Sequence, residues 1–83
     1  MAEGIGLVQR LTVVSPTLTC VWIGPTPNNT ELLIVTNDNS AADTAFAANL
    51  VQTLAAAATN YRGVAATHAA NNAKITSVRV DPV

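Results

Sequence analysis

The segment that most constrains the fold is residues 41–60, an alanine-rich stretch without glycine or proline. Ser40 precedes it as an N-cap, and Asp43 three residues later supplies an acidic variant of the capping box. Apolar side chains recur at helical spacing along one face, formed by Phe46, Leu50, Val51, Leu54 and Ala57 or Ala58. We therefore predict one helix over 41–60, ended by Asn60 and by Gly63 in the left-handed conformation.

The segments on both sides of this helix have the alternating or continuous apolar character of strands. Three precede the helix and two follow it, predicted over residues 5–14, 18–24, 31–36, 64–69 and 74–80. Pro16 and the Pro25–Thr30 loop separate the first three, and Asn71-Asn72 makes the last two a hairpin. The alanines within 64–70 leave a helix open there as an alternative.

The order of these elements predicts an α+β fold in a single OB-like domain over residues 1–83. Three strands, one helix and two strands form the β-β-β-α-β-β order of a small five-stranded OB-like barrel with one helix. If residues 64–70 are not a strand, the alternative is a four-stranded antiparallel sheet covered by one helix.

The composition of the chain favours association with other copies of itself. A domain of 83 residues buries only about 60–65% of the surface that its unfolded chain exposes. Hydrophobic residues make up 49% and charged residues 11% of the chain, whereas about 25% charged is usual. Cys20 is the only cysteine, so no disulfide forms within the chain. We expect a homo-oligomer, with interface residues drawn from a C-terminal set: Arg62, Val78, Arg79 and Val80.

Charge and targeting features exclude several partners. A net charge of −1 and four well-separated cations give no attraction for nucleic acid or an anionic membrane. Glu3 stands where a signal peptide would carry Lys or Arg, and no apolar run approaches the roughly 20 residues of a membrane span. We therefore expect a cytoplasmic protein by default, and we interpret Asn28-Asn29-Thr30 as a turn.

The residues that catalysis or metal binding would need are too few to form a site. His68 is the only histidine, and the five acidic residues are scattered. A thiol–imidazole pair of Cys20 and His68 has no sequence feature that brings the two together. We expect no enzymatic activity, no cofactor and no metal; an enzyme would need His68 of one copy to meet acids of another.

A ligand site is the alternative role for the one tryptophan. Trp22 lies in a predicted strand, and strand aromatics of OB barrels can stack on a sugar or a base. Asn28, Asn29 and Arg10 are the polar residues that we expect to help it bind a neutral polar ligand such as a glycan. The other position that we consider for Trp22 is the core or a subunit interface.

The C-terminal half also has a recognisable order of features. An aliphatic helix leads into Tyr61-Arg62-Gly63-Val64, then a strand with His68, then the segment 71–80. This half resembles the tail of small OB-like proteins related to the B subunits of AB5 toxins. The resemblance implies a ring pentamer that binds glycans. We therefore expect a non-enzymatic, ring-type assembly module, or alternatively a glycan-binding module like a toxin B subunit.

Overall fold

A computed structural model describes residues 2–81 of the chain, and the side chains of residues 3–80. Five strands and one helix follow one another in the predicted β-β-β-α-β-β order. Their bounds are β1 Ala2–Ser15, β2 Leu18–Thr26, β3 Asn29–Thr36, α1 Ala41–Thr59, β4 Gly63–His68 and β5 Ile75–Asp81. The α+β class is confirmed, and the four-stranded alternative is wrong because the alanine-containing segment after the helix forms β4. No helix in this part of the chain has the length and hydropathy needed to cross a membrane.

The strands form one open antiparallel sheet in the order β3-β2-β1-β4-β5. The central strand β1 is 14 residues long and pairs with a different strand along each part of its length: Ala2–Gly6 pairs with β4, and Leu7–Ser15 pairs with β2. At the changeover Gly6 has a φ of 140°, and a Cβ added there would lie 2.7 Å from the carbonyl carbon of Gly24. Glycine therefore allows β1 to bend where it passes from one partner to the other.

The two edges of the sheet approach each other at a single point. The backbone N–H of Ile34 in β3 donates to the carbonyl of Ala73, just before β5, at 2.9 Å. The associated parallel bridge joins Ile34 to Lys74 and stands alone. A closed barrel would need a continuous ladder between β3 and β5. The sheet is therefore open and curled, and the closed barrel remains a prediction.

The core lies between the inner face of the sheet and α1. Alternate strand residues enter it, namely Val21, Ile23, Leu33, Val35, Val64, Ala66 and Ile75. The helix contributes Ala47, Leu50, Leu54 and Ala57. Phe46, which the spacing placed on the buried face, is 47% exposed. That prediction is wrong because the helix turns Ala47 toward the sheet, and the small side chain lets backbone and sheet approach closely.

Side chains cap the start of α1 in a variant of the predicted arrangement. The Ser40 hydroxyl accepts from the Asp43 N–H at 3.2 Å. The Asp43 carboxylate accepts from the Asp38 N–H at 2.9 Å, whereas the Ser40 N–H donates to Asp38 Oδ1. Hydrogen bonds from the side chain and then the backbone of Ser40 lower the pKa of Asp38. The helix thus begins at a hydrogen-bonded turn that includes a carboxylate of lowered pKa.

The end of α1 differs from the prediction in its left-handed residue. Tyr61, not Gly63, has positive φ, at 54°. The N–H of Arg62 donates to the carbonyl of Ala57 at 2.9 Å, and the N–H of Tyr61 points to that of Ala58 at 3.4 Å. This pair of bonds is the Schellman motif, which fixes the left-handed position immediately after Asn60. Gly63 comes two residues too late to occupy it.

The loop predicted over Pro25–Thr30 is mostly strand. β2 continues to Thr26, β3 begins at Asn29, and these two residues pair across a turn formed by Pro27 and Asn28. The register shifts between Ile23 and Thr26. An irregularity at this point tolerates Pro25, which has no N–H to give to a regular ladder.

Candidate functional site

The face of the sheet turned away from the core carries a group of apolar side chains. We call this group the outer patch; it consists of Leu18, Cys20, Trp22, Leu32 and Ile34. The outer patch follows from strand alternation, because the residues that lie between these five along β2 and β3 are buried on the inner side of the sheet. Cys20 lies opposite Ile34 and Trp22 lies opposite Leu32 in neighbouring strands. All five are only partly covered, and Leu32 is 47% exposed.

Arg10 lies over the tryptophan of this patch. It is the cross-strand neighbour of Trp22, and its guanidinium carbon is 5.5 Å from the centroid of the indole ring. This is the distance of a cation–π contact. No carboxylate among the described side chains forms an ion pair with Arg10. The guanidinium therefore keeps its hydrogen-bonding capacity for water or for a group from outside the chain.

A small hollow of about 240 Å³ adjoins this pair, lined by Gln9, Arg10, Trp22, Pro27 and Thr30. Gln9 is held in place because its side-chain amide donates to the Gly24 carbonyl at 2.9 Å. The hollow is smaller than the roughly 300–1,000 Å³ of a typical ligand pocket. It has room for one ring or one small polar group.

Two asparagines predicted for the same site lie elsewhere. Asn28 occupies the β2–β3 turn and is exposed, and it does not line the hollow. Asn29 lines a separate hollow of about 210 Å³, together with Glu31 and Ile5. The structure thus brings Arg10 and Trp22 together and leaves the two amides apart from them.

Arg10 also borders a larger hollow between β1 and the end of α1. This hollow has a volume of about 560 Å³ and is lined mainly by aliphatic and alanine side chains, with Thr59 and Tyr61 at one end. Arg10 and Tyr61 are its only titratable residues. It offers space and apolar contact, and its lining residues include no histidine, cysteine or carboxylate.

His68 and Glu31 form a polar contact that the sequence did not reveal. His68 is 6% exposed, and its Nδ1 lies 2.8 Å from the carbonyl of Ala69 and 3.0 Å from that of Asn72. Carbonyl oxygens only accept, so Nδ1 carries a hydrogen. Nε2 lies 3.0 Å from Oε1 of Glu31, an ion-pair distance without hydrogen-bond alignment. Thirty-seven positions separate the two residues, and no local pattern signals their contact.

Among the described residues, neither the cysteine nor a cluster of metal ligands lies beside this histidine. Cys20 lies on the outer face, whereas His68 faces the inner side, so the thiol–imidazole pair does not form. No group of three or more His, Cys, Asp or Glu within residues 2–81 is placed to hold a metal ion. His68 and Glu31 join two strands of the fold.

The residues predicted for a subunit interface do not form part of the outer patch. Arg62 is exposed directly after α1, and Arg79 is exposed on β5 opposite Ala65. Val80 is 37% exposed, whereas Val78 packs against the core of its own chain.

No protein-family model, curated protein or solved structure matches this chain.

Proposed function

We propose that this chain is a non-enzymatic assembly module whose copies form a ring-type homo-oligomer through the outer patch. The observation that carries the proposal is the patch itself. Five apolar side chains lie side by side on two paired strands, and Arg10 is their one charged neighbour on that face. Contiguous apolar surface that stays partly exposed, as it does here, is typical of contact sites.

The size of the chain is compatible with such a contact. The accessible surface is 4942 Å², and a standard interface buries about 800 Å² per partner. A covering copy would therefore remove about a sixth of the surface from water. The low charge of the chain, at 11% of residues, favours a neutral, apolar partner surface such as a second copy offers.

The proposal includes an OB-like architecture for each subunit. It is supported by the element order and by the parallel bridge of Ile34 to Lys74 at the point where the sheet edges approach. The contact of Glu31 with His68 is the second link between these parts of the curled sheet. A partly closed barrel of this kind exposes the outer side of β2 and β3, where the outer patch lies.

Sedimentation equilibrium and light scattering at micromolar concentration test the assembly. The wild-type protein is expected to have the mass of several copies. Leu32→Lys places a charge in the outer patch and is expected to shift the mass toward one copy, whereas Val80→Lys, an equally apolar-to-charged change on β5, leaves it unchanged. A monomeric wild type contradicts the proposal, and dissociation by Val80→Lys alone moves the interface to β5.

A second candidate function is a binding module for a glycan or another neutral polar ligand. The specific observation behind it is the hollow beside Trp22, with Arg10, Gln9 and Thr30 as polar groups around the indole. Tryptophan fluorescence titrated with neutral mono- and disaccharides tests it, with Trp22→Phe as the silent control. An emission spectrum unchanged by every sugar contradicts this function.

A further inference from the structure

Beyond the bend at Gly6, Arg10 is the one charged side chain on the outer face of β1, β2 and β3 among the described residues. Glu31, the other charged residue of these strands beyond Gly6, lies on the opposite face, because it pairs with buried Ile23 and contacts His68. The guanidinium of Arg10 lies over the Trp22 ring, and the ring attracts its positive charge. The N–H groups of the guanidinium point along its own plane, and the ring provides no acceptor for them there.

Covering the outer patch would take this guanidinium out of water. A buried guanidinium without acceptors is costly, since the desolvation of a charge is recovered only through paired, hydrogen-bonded acceptors. A carboxylate meets this need best, because its two oxygens match the fork of an Arg side chain. Any surface that covers the patch therefore has to bring acceptors to Arg10, and a carboxylate is the acceptor that fits it best.

The chain itself has one described carboxylate without a partner. Glu31 lies against His68, Asp38 accepts from Ser40, and Asp43 accepts from the N–H of Asp38. The remaining one, Glu3, has no ion pair or hydrogen bond among the described residues and is exposed.

Glu3 also lies on the side of the sheet that carries Arg10. Its neighbour Gly4 faces the core, since a Cβ added at Gly4 would lie 2.7 Å from Cδ1 of Leu33. Strand alternation therefore turns Glu3 and Ile5 outward, and Ile5 is 64% exposed. The outward side of β1 thus carries the acid Glu3 near one end, the exposed apolar Ile5 next to it, and the cation Arg10 farther along the strand.

We infer that, in the assembly, Glu3 of one copy pairs with Arg10 of the next at the margin of the outer patch. The inference rests on the proposed self-association, and it names the charged pair that would fix how two copies meet. In a two-fold contact the pair would occur twice; in a ring, each copy would give Arg10 to one neighbour and Glu3 to the other. The second copy is the occupant because it brings both an apolar face and the missing carboxylate.

Charge reversal tests the pair. The self-association constant is measured by sedimentation for wild type, Arg10→Glu, Glu3→Arg, the double variant and an equimolar mixture of the two single variants. Each single reversal is expected to weaken association by about tenfold or more, because like charges then face each other. The double variant is expected to recover association to within about threefold of wild type, and the mixture to form mixed assemblies.

Arg62→Glu is the matched control, an equal reversal at an exposed Arg outside the patch, and it is expected to leave association unchanged. Circular dichroism and urea unfolding establish that each variant is folded. Glu3→Arg changes an exposed side chain that has no partner among the described residues, so this variant still tests the pair even if Arg10→Glu unfolds. A monomeric wild type overturns the proposed function and this inference together. An oligomer that tolerates both single reversals, loses as much with Arg62→Glu, or fails to recover in the double variant overturns the inference alone.

Discussion

Oε1 of Glu31 lies 3.0 Å from Nε2 of His68, although β2 and β1 lie between their strands in the sheet. Such a contact requires the sheet to curl until β3 reaches β4. The same corner explains Gly4, since a side chain there would meet Cδ1 of Leu33 at 2.7 Å and Oε2 of Glu31 at 3.5 Å. With the hydrogen bond from Ile34 to Ala73, this contact holds the two ends of the sheet together.

Removing the imidazole is expected to destabilise the protein. His68→Ala takes away the donor to the carbonyls of Ala69 and Asn72 and leaves a buried void, a combined cost of about 2–4 kcal/mol. His68→Asn keeps an amide donor near the position of Nδ1 and is expected to cost less. The free energy of unfolding in urea measures both. Equal losses for the two variants would contradict a donor role for Nδ1.

Close backbone approach makes Gly24 and Gly6 intolerant of a side chain. A Cβ on Gly24 would overlap the Asn29 carbonyl oxygen and lie 2.8 Å from Cα of Thr30, and one on Gly6 would strike the backbone of Gly24 at positive φ. Each alanine variant is expected to lose about 2–4 kcal/mol of unfolding free energy. Gly63→Ala is the control, because no atom lies within 4 Å of its added Cβ. Thermal or urea unfolding that ranks Gly63→Ala with the other two would be inconsistent with this geometry.

Tyr61→Gly is expected to stabilise the fold. A non-glycine residue at positive φ costs about 1–2 kcal/mol, part of which is offset because glycine makes the unfolded chain more flexible. Tyr61 is 78% exposed, so little packing is lost. The net gain is expected to be about 0.5–1 kcal/mol by urea unfolding. Tyr61→Ala retains the left-handed strain and is expected to give no gain; a gain equal to that of glycine would point to the loss of the aromatic ring instead.

Asp38 is expected to make the protein less stable in acid. Hydrogen bonds from Ser40 lower its folded-state pKa below the usual 3.8. As the pH falls, the unfolded chain therefore binds the proton before the folded protein does. The stabilisation is fully present above pH 3.8 and is lost as the pH falls through the lowered pKa of the folded state. Asp38→Asn retains the acceptor for the Ser40 N–H but removes the charge. The difference in unfolding free energy between wild type and Asp38→Asn is expected to shrink on acidification; a constant difference would rule out this origin.

The order of strands and helix was predictable because each element is encoded by neighbours in sequence. Alternating or continuous apolar runs predicted the strands, although the alanines of 64–70 left β4 open as a helix, and Ser40 with Asp43 predicted where α1 begins. The face of α1 was less well determined, since Phe46 and Ala47 are adjacent and hydrophobicity alone favours Phe46. The close approach of α1 to the sheet favours Ala47, the smaller side chain, on the buried face. This approach depends on packing between segments that are distant in sequence.

The candidate site was predictable only in part, for the same reason. Trp22 and Arg10 were both singled out, but their contact depends on the register between β1 and β2, which includes a shift after Val8. Asn28 and Asn29 were grouped with them because the sequence predicts a loop over Pro25–Thr30 next to the strand of Trp22. The structure instead has a tight turn that places those amides elsewhere. The Glu31–His68 contact depends on sheet curvature, for which the sequence has no local signal.

The divided pairing of β1 has a consequence for how the chain acquires its shape. The β1–β2–β3 meander and the β4–β5 hairpin each join neighbours in sequence and can form early, but they meet only when Ala2–Gly6 finds β4, some sixty residues away. We expect closing that long loop to be the slow step of folding. The bend at Gly6 would then be the point at which the two sequence-local parts of the sheet join.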